Sequence, residues 1–281
     1  MSDRQSKVQT ESDAKPHNTR RRRPIRRVML LLAFAIAIAV VTIRLSLPDL
    51  SDLKTRNPTT TSLIRQRQKQ AAKTGEKFIV QQEWMAFDQI PALLKTAVRV
   101  SEDAAFFWHR GIDYTELKES LKRDLKEGRF ARGGSTITQQ LAKNLFLSTR
   151  KSLWRKFKEY LIAKRLEKTL SKDRIFSLYL NLIEMGPGIF GIQAAARFWF
   201  EKDVRELSLE EIVRLTAIIP RPLNADPRTN SPWMSFRIRW IADTLLAGGH
   251  ITEHERQGLL RTLEEGERGG GPDLSRRQPY G

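Results

Sequence analysis

The sequence predicts a mainly α-helical protein, and three observations carry that prediction. Apolar residues recur at three- and four-residue spacing in one stretch after another; helix-start signals precede several of these stretches; and only one short extended piece, Phe78 to Trp84, interrupts them. A longer apolar run near the N-terminus predicts one further helix of a different kind.

In chain order, residues 1–27 carry nine Lys or Arg against three acids, a local charge of +6. Val28 to Ile43 follows without a single charge, and the run reaches Leu47 if Arg44 snorkels. A helix of about 20 apolar residues spans a bilayer, so 28–47 is expected to be a transmembrane anchor and 1–27 a cytoplasmic tail. A cleaved signal peptide is the alternative, but Ala35-Ile36-Ala37 and Ala37-Ile38-Ala39, its small-x-small sites, lie inside the apolar run. The whole chain of 281 residues carries +18 and calls for anionic partners; because much of that charge abuts an apolar run, a bilayer surface accounts for it better than nucleic acid. Cysteine is absent, which excludes disulfides and thiol chemistry.

Residues 48–77, rich in Ser, Thr, Lys, Arg and Gln, read as a linker or juxtamembrane helix, and 78–246 as the main domain. Pro91 suits a helix start; Leu94, Ala97 and Val98 then share a face and Glu102 falls near the C-terminal end. Between Gly111 and Gly133, Leu117, Leu121 and Leu125 oppose Lys118, Lys122, Arg123, Lys126 and Arg129 in a basic amphipathic helix. Thr136 and Gln139 form a capping box for a helix with Ile137, Leu141 and Leu145 facing inward. Ser152 opens the next, with Leu153, Phe157 and Leu161 expected as its buried stripe and Lys151, Arg155 and Glu159 as a separate polar one. Ile175, Leu178, Tyr179 and Leu182 make another apolar face, with Tyr179 a core residue. Gly186-Pro187-Gly188 breaks the chain, after which Ile192–Phe200, Leu209–Ile219 and Trp233–Leu246 read as helices. Residues 247–281 are expected to be a C-terminal tail, disordered at its Gly-rich end.

Reactive groups concentrate between Ser101 and Asn181. At a helix C-terminus Glu102 meets the negative end of the dipole, and with burial this raises its pKa toward that of a useful base. Gly133 and Gly134 permit close approach, while the following helix start and Lys143 offer N–H groups and charge to an anion. Around Glu159 stand Lys151, Arg155 and Lys156; an ordinary Arg155–Glu159 pair, worth about 0.2–0.5 kcal/mol, leaves the neighbouring cations unexplained.

These residues fall into ordered motifs: Glu102-Asp103-x-x-Phe106-x-x-His109-x-Gly111, Gly134-Ser135-Thr136-Ile137-Thr138-Gln139-Gln140-Leu141-x-Lys143-Asn144, Arg155-Lys156-x-x-Glu159 and Tyr179-Leu180-Asn181. Over Ile79 to Phe200 the chain closely resembles the peptidoglycan glycosyltransferases, lysozyme-like enzymes that polymerise lipid II. The resemblance implies a lysozyme-like helical catalytic domain with a membrane-proximal lobe, preceded by one N-terminal transmembrane helix. It places the protein in the cell inner membrane as a single-pass protein, N-terminus in the cytoplasm and catalytic domain in the periplasm. Lipid II, the growing glycan strand and the membrane are its implied partners, together with cell-division or elongation proteins.

The resemblance makes Glu102 the base that activates the acceptor 4-hydroxyl. A diphosphate leaves without an acid but needs cations, and Glu159 with Lys143 and Arg155 would manage it. Asp103, His109, Ser135, Thr136, Gln139, Gln140 and Asn144 become substrate contacts, as does Lys151, for which Arg150 could substitute. The displacement should invert the donor's anomeric centre. Mg2+ or Mn2+ enters through the resemblance alone, with Glu159 as its ligand; no residue spacing calls for a metal. Ser51-x-x-Lys54, Ser148-x-x-Lys151 and Lys73-Thr74-Gly75 look like transpeptidase signatures in the wrong places, so a monofunctional member is expected. The Gly186 to Gly191 segment is similar to the stand-alone proteobacterial form. Two alternatives stand beside this reading: a glycan hydrolase with Glu102 as acid, which has no use for Lys143 and Arg155, and a non-enzymatic, membrane-anchored basic protein.

Overall fold

A computed structural model describes residues 27–34, 38, 42, 47–127, 134–150 and 152–268. The chain divides into two compact units, 1–47 and 48–281. In the first, residues 27–34 are helical and exposed. Among the described residues no helix is long and apolar enough to cross a membrane. Nearly all of the expected cytoplasmic tail and much of the expected anchor lie outside the described residues.

The second unit is built almost wholly of helices. A 3-10 turn, Ser51–Lys54, leads to α1 (Ser62–Thr74), β1 (Gln81–Gln82), α2 (Ala92–Glu102), α3 (Tyr114–Glu127), α4 (Ile137–Phe146), α5 (Leu153–Thr169) and α6 (Lys172–Leu182). Then come β2 (Glu184–Gly186), β3 (Ile189–Phe190), α7 (Ile192–Phe200), a second 3-10 turn at Val204–Glu206, α8 (Leu209–Ala217), α9 (Pro232–Ala247) and α10 (Glu253–Arg268). The helix starts follow the sequence signals: Thr136, Ser152, Ser171, Ser208 and Ser231 each accept a backbone N–H of the first turn.

α6 is the central element, with every residue from Ile175 to Leu182 buried. α4 packs against α1, α5 and α6, while α2 packs against α8 and α9. The three short strands form one sheet in the order β1-β3-β2, β1 parallel and β2 antiparallel to β3. The Gly186-Pro187-Gly188 break is therefore the turn of a hairpin, and the extended piece expected over Phe78–Trp84 pairs only at Gln81–Gln82. Asn181, polar as it is, is wholly buried. Its side chain accepts from the Met85 N–H at 2.7 Å and donates to Met85 O at 3.0 Å and Ser177 O at 2.9 Å, which pins the strand-to-α2 connection to α6.

Three expectations need correction. Residues 48–77 are not a bare linker, because Leu50, Leu53, Leu63, Ile64 and Ala71 are buried and Arg174 donates to Leu53 O and Arg56 O, both at 2.7 Å. The described part of 247–281 is not a tail either: α10 packs on α9 through buried Leu259 and Leu263. Of the end expected to be disordered, Gly266 to Gly281, the first three residues close α10 and the rest lie beyond the described residues. The third correction concerns the phase of α5. Leu153 is 92% exposed and Phe157 44%, and the buried face runs through Glu159, Ile162, Ala163 and Leu166. The apolar C-terminal half fixes the rotation of a rigid helix, so the first turns follow it with their apolar side outward.

Tight backbone contact limits substitution at Gly188, where a Cβ would collide with Ile79 O, and at Gly191. Gly191 has φ +83°, and a Cβ there would sit 2.7 Å from Asn181 O, whereas Gly75, φ +75° at the end of α1, has nothing within 4 Å. Gly75→Ala should therefore cost about 1 kcal/mol of backbone strain alone. Gly191→Ala should cost roughly twice that or more, because strain and collision add. Denaturant midpoints of the two variants check this; equal losses would show that the α6 backbone gives way.

Candidate active site

Glu102 is the last residue of α2, and its side chain is about a tenth exposed. Gln140 Nε2 donates to its Oε2 at 2.9 Å, and Gln140 Oε1 accepts in turn from the hydroxyl of fully buried Tyr179 at 3.1 Å. Arg237, from α9, lies 3.8 Å from the other oxygen and donates to Ser101 Oγ at 2.8 Å. Burial raises the Glu102 pKa above the ordinary carboxylate range, while Gln140, Arg237, Ser101 and Lys143 pull it back. Burial likewise holds the Tyr179 phenol well above its usual value, with Glu102 and Asp103 adding to the effect, so it stays a neutral donor.

Asp103 turns away from its neighbour. Its carboxylate takes the Nε2 proton of His109 at 2.9 Å and the Ile137 N–H at 3.0 Å. The Gly111 N–H donates to His109 Nδ1 at 3.1 Å, which leaves Nε2 as the protonated ring nitrogen. The start of α4 is therefore not the open anion site expected from sequence. Asp103 holds the first N–H, Thr136 Oγ1 accepts from Gln139 N–H at 3.2 Å, Gln139 Oε1 accepts from Thr136 N–H at 3.1 Å, and Gln140 N–H is taken by Thr136 O. Thr136 Oγ1 also donates to Gly111 O at 2.7 Å. The side-chain polar atoms of Asp103, His109 and Thr136 and the Oε1 of Gln139 are thus engaged within the protein, where they fix the loop that ends α2 against the start of α4. The helix ends at Glu102, as its spacing predicts, and a turn places Phe106 in the core and leaves Phe107 half exposed.

Glu159 is 2% exposed. Arg155 Nη1 bonds one carboxylate oxygen at 2.6 Å and Lys156 Nζ the other, and Lys156 also donates to Ser135 Oγ at 2.8 Å. This is no surface pair, since breaking a buried one costs about 3–5 kcal/mol rather than a few tenths. Both oxygens being engaged by cations, Glu159 is a poor fit for the Mg2+ or Mn2+ ligand that the resemblance allowed. Among the described residues no group of three or more His, Asp or Glu is arranged to hold a metal ion. Burial lowers the Lys143 pKa; Glu159 opposes this, and Arg155 and Lys156 add to it, which places all four in one field.

Two cavities border the bonded Glu102–Gln140 pair, one at each residue. One, of about 470 Å3, is lined by Glu102, Asp103, Ser135, Arg237 and Trp240. The other, of about 340 Å3, is lined by Gln140, Lys143, Asn144, Arg67, Glu184 and Arg221. Arg155 and Arg237 each keep a buried Nε–H with no acceptor in the protein. Lys151 lies outside the described residues. Sequence reading set Lys156 beside Glu159 but gave it no role at the site, and missed Arg237, which carries no local signal.

The sequence that builds this site has relatives among known proteins. Residues 68–246 match the family model described as Transglycosylase. The chain is 43% identical over 191 residues to the biosynthetic peptidoglycan transglycosylase of Nitrosomonas europaea, covering 68% of this chain and 78% of that protein. Its counterpart in Alcanivorax borkumensis is 39% identical over 216 residues, 77% of this chain and 85% of that protein. The one in Nitrosospira multiformis is 40% identical over 185 residues, 66% and 80% respectively. With its motif residues assembled around these cavities and most of the described chain matched, this protein belongs to the transglycosylase family.

Proposed function

We propose that the protein polymerises lipid II into peptidoglycan glycan strands by inverting glycosyl transfer, releasing undecaprenyl diphosphate. One observation carries the reading: the two carboxylates have opposite surroundings. Glu102 faces a cavity with a raised pKa and free capacity to accept a proton, whereas Glu159 is saturated by Arg155 and Lys156 beside Lys143. In the step proposed, Glu102 takes the proton of the acceptor 4-hydroxyl as its oxygen bonds to the donor's anomeric carbon. The bond from that carbon to phosphate breaks, and the diphosphate leaves with the electron pair. Lys143, Arg155 and Lys156 hold the charge that develops, and the unpaired Nε–H groups of Arg155 and Arg237 supply donors to substrate oxygens. Ser135, Gln140 and Asn144 line the cavities that sugar or phosphate oxygens would enter.

The same reading gives the chain a single-pass anchor at 28–47 in the inner membrane, with the catalytic unit in the periplasm. Support comes from the uncharged run Val28–Ile43 behind a basic tail. It also comes from the outward face of α5, where Leu153, Trp154 and Phe157 are exposed and the two rings stack at 5.6 Å beside Lys158. An apolar surface edged by cations suits a bilayer interface.

Glu102→Gln should reduce lysozyme-sensitive polymer made from lipid II by about 100-fold or more. Retention of full activity would remove Glu102 as the base, and release of fragments from isolated cell walls without polymer would assign a hydrolase instead. The pH profile tests the electrostatics. Glu102 acts as a carboxylate and burial favours its protonated form, so kcat/KM should fall with acid through a midpoint above the ordinary glutamate range. Arg237→Gln removes a cation that lowers that pKa, and the acidic limb should move to higher pH. An unmoved limb would show that Arg237 does not act on Glu102.

A further inference from the structure

Gln66 reaches from α1 to the connection between α4 and α5. Its Nε2 donates to Leu147 O at 2.9 Å, and its Oε1 accepts from the Thr149 N–H at 2.7 Å and the Thr149 hydroxyl at 3.2 Å. Both ends of the amide are thus used on one loop. A further pair of bonds from Nε2, to Ser62 O at 2.8 Å and Ser62 Oγ at 3.1 Å, fixes the side chain from its own helix. The next residue, Arg67, grips Glu184 with two bonds of 2.7 Å. Arg67, Glu184 and Thr149 line the same cavity as Lys143. α1 can serve as a fixed base because Thr61 caps it from a fully buried position and Leu63 and Ile64 pack with Phe190 in the core.

The loop that Gln66 holds separates the two sets of cations. α4 carries Gln140, Lys143 and Asn144 and ends where the Leu147 N–H bonds Lys143 O; α5 carries Arg155 and Lys156. Like charges on the two helices repel; Glu159 and the packing of α4 on α5 oppose this, and the loop adds a further restraint on their spacing. Gln66 closes the connection at Leu147 and again two residues later. It lies just before the matched residues 68–246, which explains why the motifs gave no hint of it.

We propose that Gln66 is a positioning residue: through the Leu147–Thr149 loop it sets the separation between Lys143 and the Arg155–Lys156 pair, and so the grip on a diphosphate. This rests on the glycosyl-transfer reading above. The test compares the full chain in detergent as wild type, Gln66→Ala, Gln66→Glu, and Lys69→Ala on the exposed side of the same helix. Gln66→Ala should raise KM for lipid II by about tenfold with kcat changed less than about twofold, and inorganic diphosphate should inhibit it correspondingly less well. Gln66→Glu keeps the acceptor for Thr149 and should recover part of the loss, while Lys69→Ala should match wild type. Wild-type KM and diphosphate inhibition in both Gln66 variants, or a loss confined to kcat, would overturn the inference. If Gln66→Ala fails to fold, Gln66→Glu against wild type decides. A wild-type chain that makes no polymer would remove the functional reading, and calorimetric diphosphate binding by wild type and Gln66 variants would still decide the role of the loop.

Discussion

A carboxylate taken out of water must be given donors, and Asp103 meets that demand with the His109 ring and the first N–H of α4. Because Asp103 directly follows Glu102, this arrangement ties the end of α2 to the start of α4 at the point where the two helices bring Glu102 and Gln140 together. The positive end of the α4 dipole is spent on holding this joint. Without it, the 2.9 Å bond between Gln140 and Glu102 would depend on two loops with no common fixture.

From that joint follows an electrostatic division of labour. Glu102 has neutral hydrogen-bond donors in Gln140 and Ser101 and a cation at 3.8 Å, yet burial dominates and its proton affinity rises. Glu159 lies as deep, yet two cations contact it directly. The same residue type is thus driven to two chemical characters by its neighbours alone. Tyr179 and Gln140 carry the core's rigidity to the first carboxylate, and Ser135 links the Glu159 cluster to the cavity on which Glu102 opens.

Much of this was legible in the sequence, for reasons of local chemistry. Capping boxes announce themselves within four residues, and Thr136–Gln139 closes as its pattern requires. The apolar spacing in α4 and α6 matched burial because those helices are enclosed on several sides. α5 defeated the same logic: its first turns present Leu153, Trp154 and Phe157 outward and Glu159 inward, and periodicity gives a stripe without saying which side faces the core. The helix allowed in 48–77 was legible but its packing was not, because a helix with few apolar residues can still be held by Gln66, Arg67 and the buried Leu63, Ile64 and Ala71. Arg237 reaches Glu102 across 135 positions, a distance at which only tertiary structure speaks.

The outward face of α5 bears on the handling of the molecule as well as its chemistry. Trp154 and Phe157 stack on each other beside a leucine left almost bare, a surface that water solvates poorly. Trimming away the first 47 residues would leave this ridge in place. The shortened protein should therefore self-associate in dilute buffer, limited by colloidal behaviour and not by any failure to fold, until an amphiphile covers the ridge.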